Sequence, residues 1–309
     1  MTSARLTLGA ATLAAIVVTT APLVSTRQAD RASIVEYVSV LSADGTPIDG
    51  LPPTAFQLTS DDQPITIGDV SSIAAPMTMA VVLDATASVG ANLELPSKVL
   101  ERALLPRLRE RDRARVLTVA TSPFVGDRWT SDVSLLKSSI KQALDGSRTG
   151  PSPIWDTLWH AGRALSTEPG PRVVLLATDG RTSGNEHGYL DVLYRLSVDG
   201  ITVAVIASAQ RETLGQMAGK LAVVRPDVTL RDLAAQTGGP FYVDRNIPTR
   251  TPTDLRLESE VIVGRMMAEL QRRYAIRFSA PADGQFHRLR VTVQHPGATV
   301  RARAMFLSK

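Results

Sequence analysis

Residues 77–88 read MTMAVVLDATAS and decide the fold. An apolar run ends at Asp84, and Thr86 and Ser88 follow at intervals of two residues. An apolar run of this length is typical of a strand that is buried on both faces of a parallel sheet. The stretch therefore predicts a buried strand whose carboxyl end carries one carboxylate and two hydroxyl groups.

Around this strand, the sequence alternates between strand-like and helix-like patterns. Further strands are predicted at 115–121, 172–180 and 201–208, and helices at 97–111, 131–144, 154–165, 188–200 and 230–239. Repeated units of buried strand and amphipathic helix are typical of a parallel sheet with helices on both faces. We therefore predict a doubly wound, mostly parallel α/β domain over residues 77–245.

The two ends of the chain are rich in β-strand patterns. Residues 33–74 contain short alternating runs that are separated by turn signals such as Asp44-Gly45 and Asp61-Asp62. A long helix is predicted at 254–273, with Ile262, Met266, Met267 and Leu270 on one face, and three strands follow at 274–280, 287–294 and 299–307. Because these zones bracket the α/β zone, we predict that residues 33–74 and 254–309 pair into a small β-sandwich-like domain.

Residues 1–25 have the pattern of a targeting segment. Arg5 precedes a run of 21 uncharged residues, which suits a cleaved signal peptide and is also long enough for a retained membrane anchor. Both alternatives predict an exported protein that is periplasmic, secreted or anchored on the outer side of the cytoplasmic membrane. The only membrane contact that we predict is through this segment.

The composition excludes several kinds of chemistry. The 309 residues include no Cys, which excludes disulfides, thiolate metal sites and cysteine nucleophiles. Lys and Arg number 34 against 30 Asp and Glu, and the basic residues are scattered, so nucleic acid is not a predicted partner. Motifs for nucleotide binding (G-x-G-x-x-G, Walker A), serine hydrolases (G-x-S-x-G) and zinc proteases (H-E-x-x-H) are absent from the sequence.

Two carboxylates follow predicted parallel strands. Asp84 ends the first, and Asp179-Gly180 ends the strand at 172–180. Ligands of open α/β sheets bind at the carboxyl ends of strands, and hard oxygen ligands favour Mg²⁺, Mn²⁺ or Ca²⁺. The sequence therefore predicts a metal site, although Asp84 or Ser88 could instead cap a helix and Asp179-Gly180 could be an ordinary turn.

With these residues, the chain resembles a von Willebrand factor type A domain. Asp84, Thr86 and Ser88 match the family's Asp-x-Ser-x-Ser motif with one Thr-for-Ser exchange, and Asp179 matches its late Asp. Ser152 falls where the family has a Thr, with Thr149 as the second choice. The resemblance implies a Rossmann-like fold in which Mg²⁺, or Mn²⁺ or Ca²⁺, is held by Asp84, Thr86, Ser88, Ser152 and Asp179.

More narrowly, the chain resembles the bacterial exported VWFA-related family. The resemblance lies in the lead-in from Asp44-Gly45 to Pro64 and in the C-terminal stretches LAAQTGGPFY (233–242), ELQRRY (269–274) and RLRVTVQHPGATVRAR (288–303). It covers residues 33–306 and implies no characterised activity.

The resemblance to the A domain implies a binding module and not an enzyme. A carboxylate of an unidentified partner protein would complete the metal shell, and loops near 89–93, 121–128, 150–154 and 181–188 would supply specificity. One alternative is an envelope scaffold with a degenerate metal site. The other is a metal-assisted hydrolase, for which His187 is the only histidine close in sequence to Asp179.

Overall fold

The computed structural model describes residues 31–72, 75–86, 99–121, 123, 125–145, 150–208, 211–213, 221–223, 228–244 and 252–309. The predicted targeting segment, the predicted ligand Ser88 and its neighbours at 89–93 lie outside these ranges.

The described residues form fifteen strands and five α-helices. The strands are β1 (Arg31–Leu41), β2 (Phe56–Ser60), β3 (Gln63–Ile65), β4 (Ile67–Ser72), β5 (Thr78–Asp84), β6 (Arg113–Val119), β7 (Arg172–Thr178), β8 (Thr202–Ser208), β9 (Arg211–Thr213), β10 (Leu221–Val223), β11 (Phe241–Asp244), β12 (Tyr274–Pro281), β13 (Phe286–Val293), β14 (Thr299–Arg301) and β15 (Met305–Leu307). The helices are α1 (Val133–Asp145), α2 (Ile154–Leu165), α3 (Tyr189–Asp199), α4 (Val228–Gln236) and α5 (Pro252–Gln271). None of these helices is long and apolar enough to cross a membrane.

A five-stranded parallel sheet lies at the centre of the α/β region. Its order is β11-β8-β7-β5-β6, and each neighbouring pair is parallel. Along β5, Met79, Val81 and Leu83 point into one core, whereas Ala80 and Val82 point into the other. The apolar run of β5 is unbroken because helices cover both faces of the sheet, so that side chains on both sides of the strand are buried. The predicted doubly wound α/β fold is confirmed.

The two cores use different helices. One core packs α1, α5 and a short helical segment, π-helical at 100–104 and 3₁₀ at 105–107, against the sheet, and the other packs α2, α3 and α4. The helix predicted at 97–111 ends at Arg107, because Leu108 is extended and the Asp112 carboxylate accepts a hydrogen bond from the Arg109 N–H at 2.9 Å, which turns the chain into β6. On α5, Val263 is fully buried with Met266, whereas the predicted core residue Ile262 is only partly buried.

The β-rich ends of the chain pair with each other. Two antiparallel sheets, β14-β1-β12-β4 and β15-β13-β2-β3, enclose a core that includes Phe56, Tyr274 and Phe306. β12 pairs with β1 over the whole length of β12, from Arg31 opposite Pro281 to Val38 opposite Tyr274. The predicted β-sandwich-like unit from the two ends is therefore present in the structure.

The strand predicted at 299–307 is two strands in different sheets. β14 pairs with β1, whereas β15 pairs with β13, so residues 302–304 cross from one sheet to the other. The crossing segment also contacts the α/β unit, since the Ala304 N–H donates to the Gln236 carbonyl at 2.9 Å. The prediction was wrong because alternation along a sequence does not show where a strand changes sheets.

The Gly238-Gly239 pair allows this close approach. Gly238 has a φ of +72°, and a Cβ on Gly239 would lie 1.9 Å from the Val203 carbonyl oxygen. A side chain at either position would separate α4 from the sheet or from the crossing segment. The pair therefore sets the contact between the two units.

Candidate metal centre

Asp84 lies at the carboxyl end of β5 and accepts hydrogen bonds on both carboxylate oxygens. Its Oδ1 accepts from the Thr86 hydroxyl at 2.6 Å and from the Thr86 N–H at 3.2 Å. Its Oδ2 accepts from the Thr178 hydroxyl at 2.6 Å and from the Ser152 hydroxyl at 3.5 Å, the longest of the four contacts. Three hydroxyl groups from three separate segments thus surround one buried carboxylate.

The electrostatics of Asp84 follow from this environment. Burial raises the pKa of the Asp84 carboxyl above its usual range, and the negative charge of Asp179 adds to the increase. Hydrogen bonds from Thr178 and Thr86 oppose that shift but do not cancel it. The charged form of Asp84 therefore lacks a compensating positive charge, which a bound cation would supply.

Asp179 follows β7 and has one satisfied and one unsatisfied oxygen. Its Oδ1 accepts a hydrogen bond from the Arg181 N–H at 2.9 Å, while Gly180 adopts a φ of +83° that favours glycine. Its Oδ2 is buried and has no hydrogen-bond partner among the described residues. The alternative of an ordinary turn accounts for one oxygen of Asp179 and leaves the other unexplained.

Ser152 is positioned by the loop that follows Asp179. The Ser152 N–H donates to the Ser183 hydroxyl at 3.0 Å, and its carbonyl accepts from the Ser183 N–H at 2.8 Å. The hydroxyl of Thr182 donates to the same carbonyl at 3.2 Å. The segment before α2 and the segment after β7 therefore hold each other in place, and each contributes a predicted ligand.

The same two segments are joined further along by Asp156. Its carboxylate accepts from the N–H groups of Glu186 and His187 and bonds the His187 ring at Nδ1, with the two His187 contacts both 2.8 Å long. Asn185 adds a contact, since its side-chain oxygen accepts from the Trp155 N–H at 2.8 Å. The rim loop near 181–188 is thus attached to α2 by a series of hydrogen bonds.

His187 is held on two sides. Its Nδ1 bonds Asp156, and its ring stacks on Trp159 with centroids 4.2 Å apart. These contacts orient the imidazole within the rim loop, and among the described residues it forms no hydrogen bond or ion pair with Asp84 or Asp179. The role of general base, on which the hydrolase alternative depends, therefore has no support from a contact at the carboxylates.

Four of the five predicted ligands can be placed. Asp84, Thr86 and Ser152 are in direct contact, and Asp179 is close enough to Asp84 to influence its pKa. Ser88 and the second choice Thr149 lie outside the described residues. Thr178 was not among the site residues predicted from the sequence. The signal was present, because Thr178 is a hydroxyl residue that directly precedes Asp179 at the end of a buried strand.

These residues fit a hard divalent cation. Two buried carboxylates and three hydroxyls supply only oxygen ligands, and no described residue donates a hydrogen bond to Asp179 Oδ2. No group of three or more His, Asp or Glu side chains able to hold a metal occurs within the described ranges, so the hydroxyls are essential to the fit. A cation bound here would be held by Asp84, Asp179, Thr86 and Ser152.

Together, the sheet order and the helices on both faces define a Rossmann-like, doubly wound α/β fold, which is the architecture that the resemblance to a von Willebrand factor type A domain implies. The sequence matches no protein-family model, and no curated protein matches it. The narrower prediction, membership of the bacterial exported VWFA-related family, stays a prediction.

The chain is similar in fold to solved von Willebrand type A structures. A von Willebrand factor type A protein from Catenulispora acidiphila is 13% identical with a TM-score of 0.48, over 88% of this chain and 74% of that chain. The conserved hypothetical protein BatB from Bacteroides thetaiotaomicron is 20% identical with a TM-score of 0.44, over 61% of this chain and 98% of that chain.

A third similar structure is proximal thread matrix protein 1 from the mussel byssus, described with a zinc-occupied MIDAS motif. It is 15% identical with a TM-score of 0.48, over 68% of this chain and 50% of that chain. At these identities the similarities concern the fold alone.

Proposed function

We propose that this protein is a metal-dependent protein-binding module of the adhesion type and not an enzyme. The observation that supports the proposal best is the buried Asp179 Oδ2, which has no hydrogen-bond donor among the described residues and lies beside a second buried carboxylate, Asp84. A buried acceptor without a donor is costly, and a bound cation would remove that cost. Mg²⁺ is the proposed ion, with Mn²⁺ or Ca²⁺ as substitutes.

A partner carboxylate would complete the shell of the bound ion. The four described ligands leave coordination positions for other oxygens, because hard divalent cations take six or more. The rim loop near 181–188 lies next to Ser152 and is held by Asp156, so it offers a preorganised surface around that position. Export, which the N-terminal sequence favours, would bring this site to partners outside the cytoplasm.

The metal site is tested by thermal unfolding and calorimetric titration with MgCl₂ and MnCl₂. We expect saturable binding and a rise in melting temperature, both of which Asp179→Ala abolishes while the circular dichroism spectrum is unchanged. Asp69→Ala, which changes an exposed carboxylate on β4, is the matched control and should keep the full metal response. If the wild-type protein bound neither ion at about 10 mM, which is well above the dissociation constants of weak protein Ca²⁺ sites, the scaffold alternative would be favoured.

The partner is tested by capture from an envelope extract with Mg²⁺-loaded protein. We expect one or more proteins to be retained with Mg²⁺, released by EDTA, and absent from the Asp84→Ala column. Loss of capture when the extract's carboxylates are amidated would identify the acidic ligand. Turnover of phosphoester or peptide substrates that disappears in His187→Ala would instead support the hydrolase alternative.

A further inference from the structure

The metal centre contains an imbalance of charge. Asp84 and Asp179 are both buried, and the four hydrogen bonds to Asp84 come from neutral hydroxyl and amide groups. Neutral donors stabilise a carboxylate but do not offset its charge. Without a metal, the site therefore needs another positive group nearby.

Arg181 is in position to supply that charge. Its Nε lies 4.0 Å from Asp179 Oδ2, and its side chain is 38% exposed. Within the described ranges, no other basic side chain forms an ion pair with Asp84 or Asp179. The backbone N–H of Arg181 also donates to Asp179 Oδ1, so the turn fixes the backbone of Arg181 beside the carboxylate.

The geometry of this pair is that of a loose counter-ion. A separation of 4.0 Å brings the charges into ion-pair contact, but it is too long for a hydrogen bond, and Oδ2 remains without a donor. Arginine–carboxylate pairs are frequently bidentate, with two parallel hydrogen bonds, and the pair of Arg181 and Asp179 is not. Partial exposure also allows the guanidinium to move toward solvent without crossing a packed core.

We infer that Arg181 is the resident counter-ion of Asp179 in the metal-free protein and that it competes with the metal for this carboxylate. Metal binding would then require the guanidinium to give up its place beside Oδ2, so that Arg181 lowers the affinity of the site for cations. The counter-ion role stands independently of the proposed function, whereas the competition with metal rests on it.

The counter-ion role is tested in EDTA by a double-mutant cycle with Arg181→Gln and Asp179→Asn. Arg181→Gln should lower the melting temperature by roughly 2–4 °C. On the Asp179→Asn background the same substitution should have a clearly smaller effect, because the charge of Asp179 that Arg181 balanced has gone. Arg181→Lys should recover part of the loss. An equal effect of Arg181→Gln on both backgrounds would overturn the inference, whatever the metal results.

The competition is tested by titrating Mg²⁺ into wild type and Arg181→Gln. We expect Arg181→Gln to bind Mg²⁺ about three- to tenfold more tightly, with Arg181→Lys close to wild type. Arg288→Gln, a matched exposed arginine on β13, should leave the affinity unchanged. Equal affinities of wild type and Arg181→Gln would overturn the competition. Failure of all variants to bind would count against the proposed function, and the cycle in EDTA would still decide the counter-ion role.

Discussion

Charged side chains are buried near both ends of the parallel sheet, but their pairing differs. Near the amino ends of the strands, the Glu36 carboxylate accepts from the Arg303 N–H at 2.9 Å and forms an ion pair with the Arg303 guanidinium. At the carboxyl ends, the partly exposed Arg181 lies 4.0 Å from Asp179, and Asp84 forms no ion pair within the described ranges. The first cluster has its carboxylate closely paired, and the second has more negative than positive charge.

The amino-end cluster continues with Arg273, which is completely buried. Its guanidinium donates to the Thr202 hydroxyl at 2.9 Å and to the Leu270 carbonyl at 3.2 Å, and it lies over the Tyr37 ring. Burial lowers the pKa of Arg273 to about 10, and the charge of Glu36 opposes that shift. Glu36 and Tyr37 lie on β1 of the β unit, whereas Thr202 lies on β8 of the parallel sheet. The cluster therefore joins the β unit to the α/β unit.

The difference between the clusters separates two uses of buried charge. Where a buried carboxylate is closely paired with a cation of the same chain, as Glu36 is with Arg303, removing one partner damages the fold. Where the chain leaves an excess, a ligand from outside can restore the balance. The comparison therefore predicts opposite consequences for substitutions that neutralise a buried carboxylate in the two places.

The largest effect is expected from breaking the amino-end pair with Glu36→Gln. This change removes the counter-charge of Arg303, whose side chain is only 14% exposed, so we expect a loss of about 3 kcal/mol in the free energy of unfolding, measured with urea. Asp62→Asn is the control, because it removes an exposed partner of Arg288 at 3.1 Å and should cost less than about 1 kcal/mol. Equal losses in the two variants would contradict the structural role of Glu36.

A smaller effect is expected when the connection between the rim loop and α2 is removed by Asp156→Ala. Loss of the acceptor for Glu186 and His187 should cost about 1–2 kcal/mol of stability. It should also weaken Mg²⁺ binding roughly tenfold, because the rim loop positions Ser152. Calorimetric titration measures the second effect.

Asp191→Ala is the matched control for this prediction. It removes the acceptor of the Gly188 N–H at the start of α3, and it contacts no predicted ligand among the described residues. It should lower stability by about 1 kcal/mol without changing the affinity for Mg²⁺. If both variants weakened metal binding equally, Asp156 would have no specific positioning role.

Neutralising Asp179 in the carboxyl-end cluster should change the free energy of unfolding in the opposite direction from Glu36→Gln. In EDTA, Asp179→Asn should raise the free energy of unfolding by about 1 kcal/mol, because it removes a poorly compensated buried charge. With saturating Mg²⁺ the order should reverse, since only the wild type gains stability from the ion. A variant less stable than wild type in both conditions would show that Asp179 has a structural role.

The smallest effect concerns a charged group on the surface of the β unit. His287 bonds Asp61 at 2.7 Å and Asp283 at 3.1 Å, and these hydrogen bonds raise its pKa above 6.5. A raised histidine pKa stabilises the fold below pH 6.5, and the contribution is lost as pH rises through the folded-state pKa. The melting-temperature difference between wild type and His287→Gln should therefore be about 1–3 °C at pH 6 and shrink by pH 9.

The elements with strong periodic patterns could be predicted from sequence. The spans of α2 and of β8 differ from their predictions by no more than one residue, because an apolar stripe or run shows directly which side chains the core must bury. The region around 299–307 could not be predicted, because its break depends on the partner strands β1 and β13. The same limit explains why Val263 was missed as a core residue of α5.

For the metal centre, the sequence by itself determined which carboxylates end buried strands, since the position of Asp84 and Asp179 after apolar runs can be read directly. Only the tertiary structure decided which hydroxyls meet them. Thr178 and Asp84 are 94 positions apart, and Ser152 and Asp84 are 68 apart. Contacts at such separations depend on the order of strands in the sheet, and within the described part of the chain they leave Asp179 Oδ2 without a donor and Arg181 beside it. The physical reason is that local patterns report burial, whereas the pairing of buried charges is set by the neighbours that folding brings together.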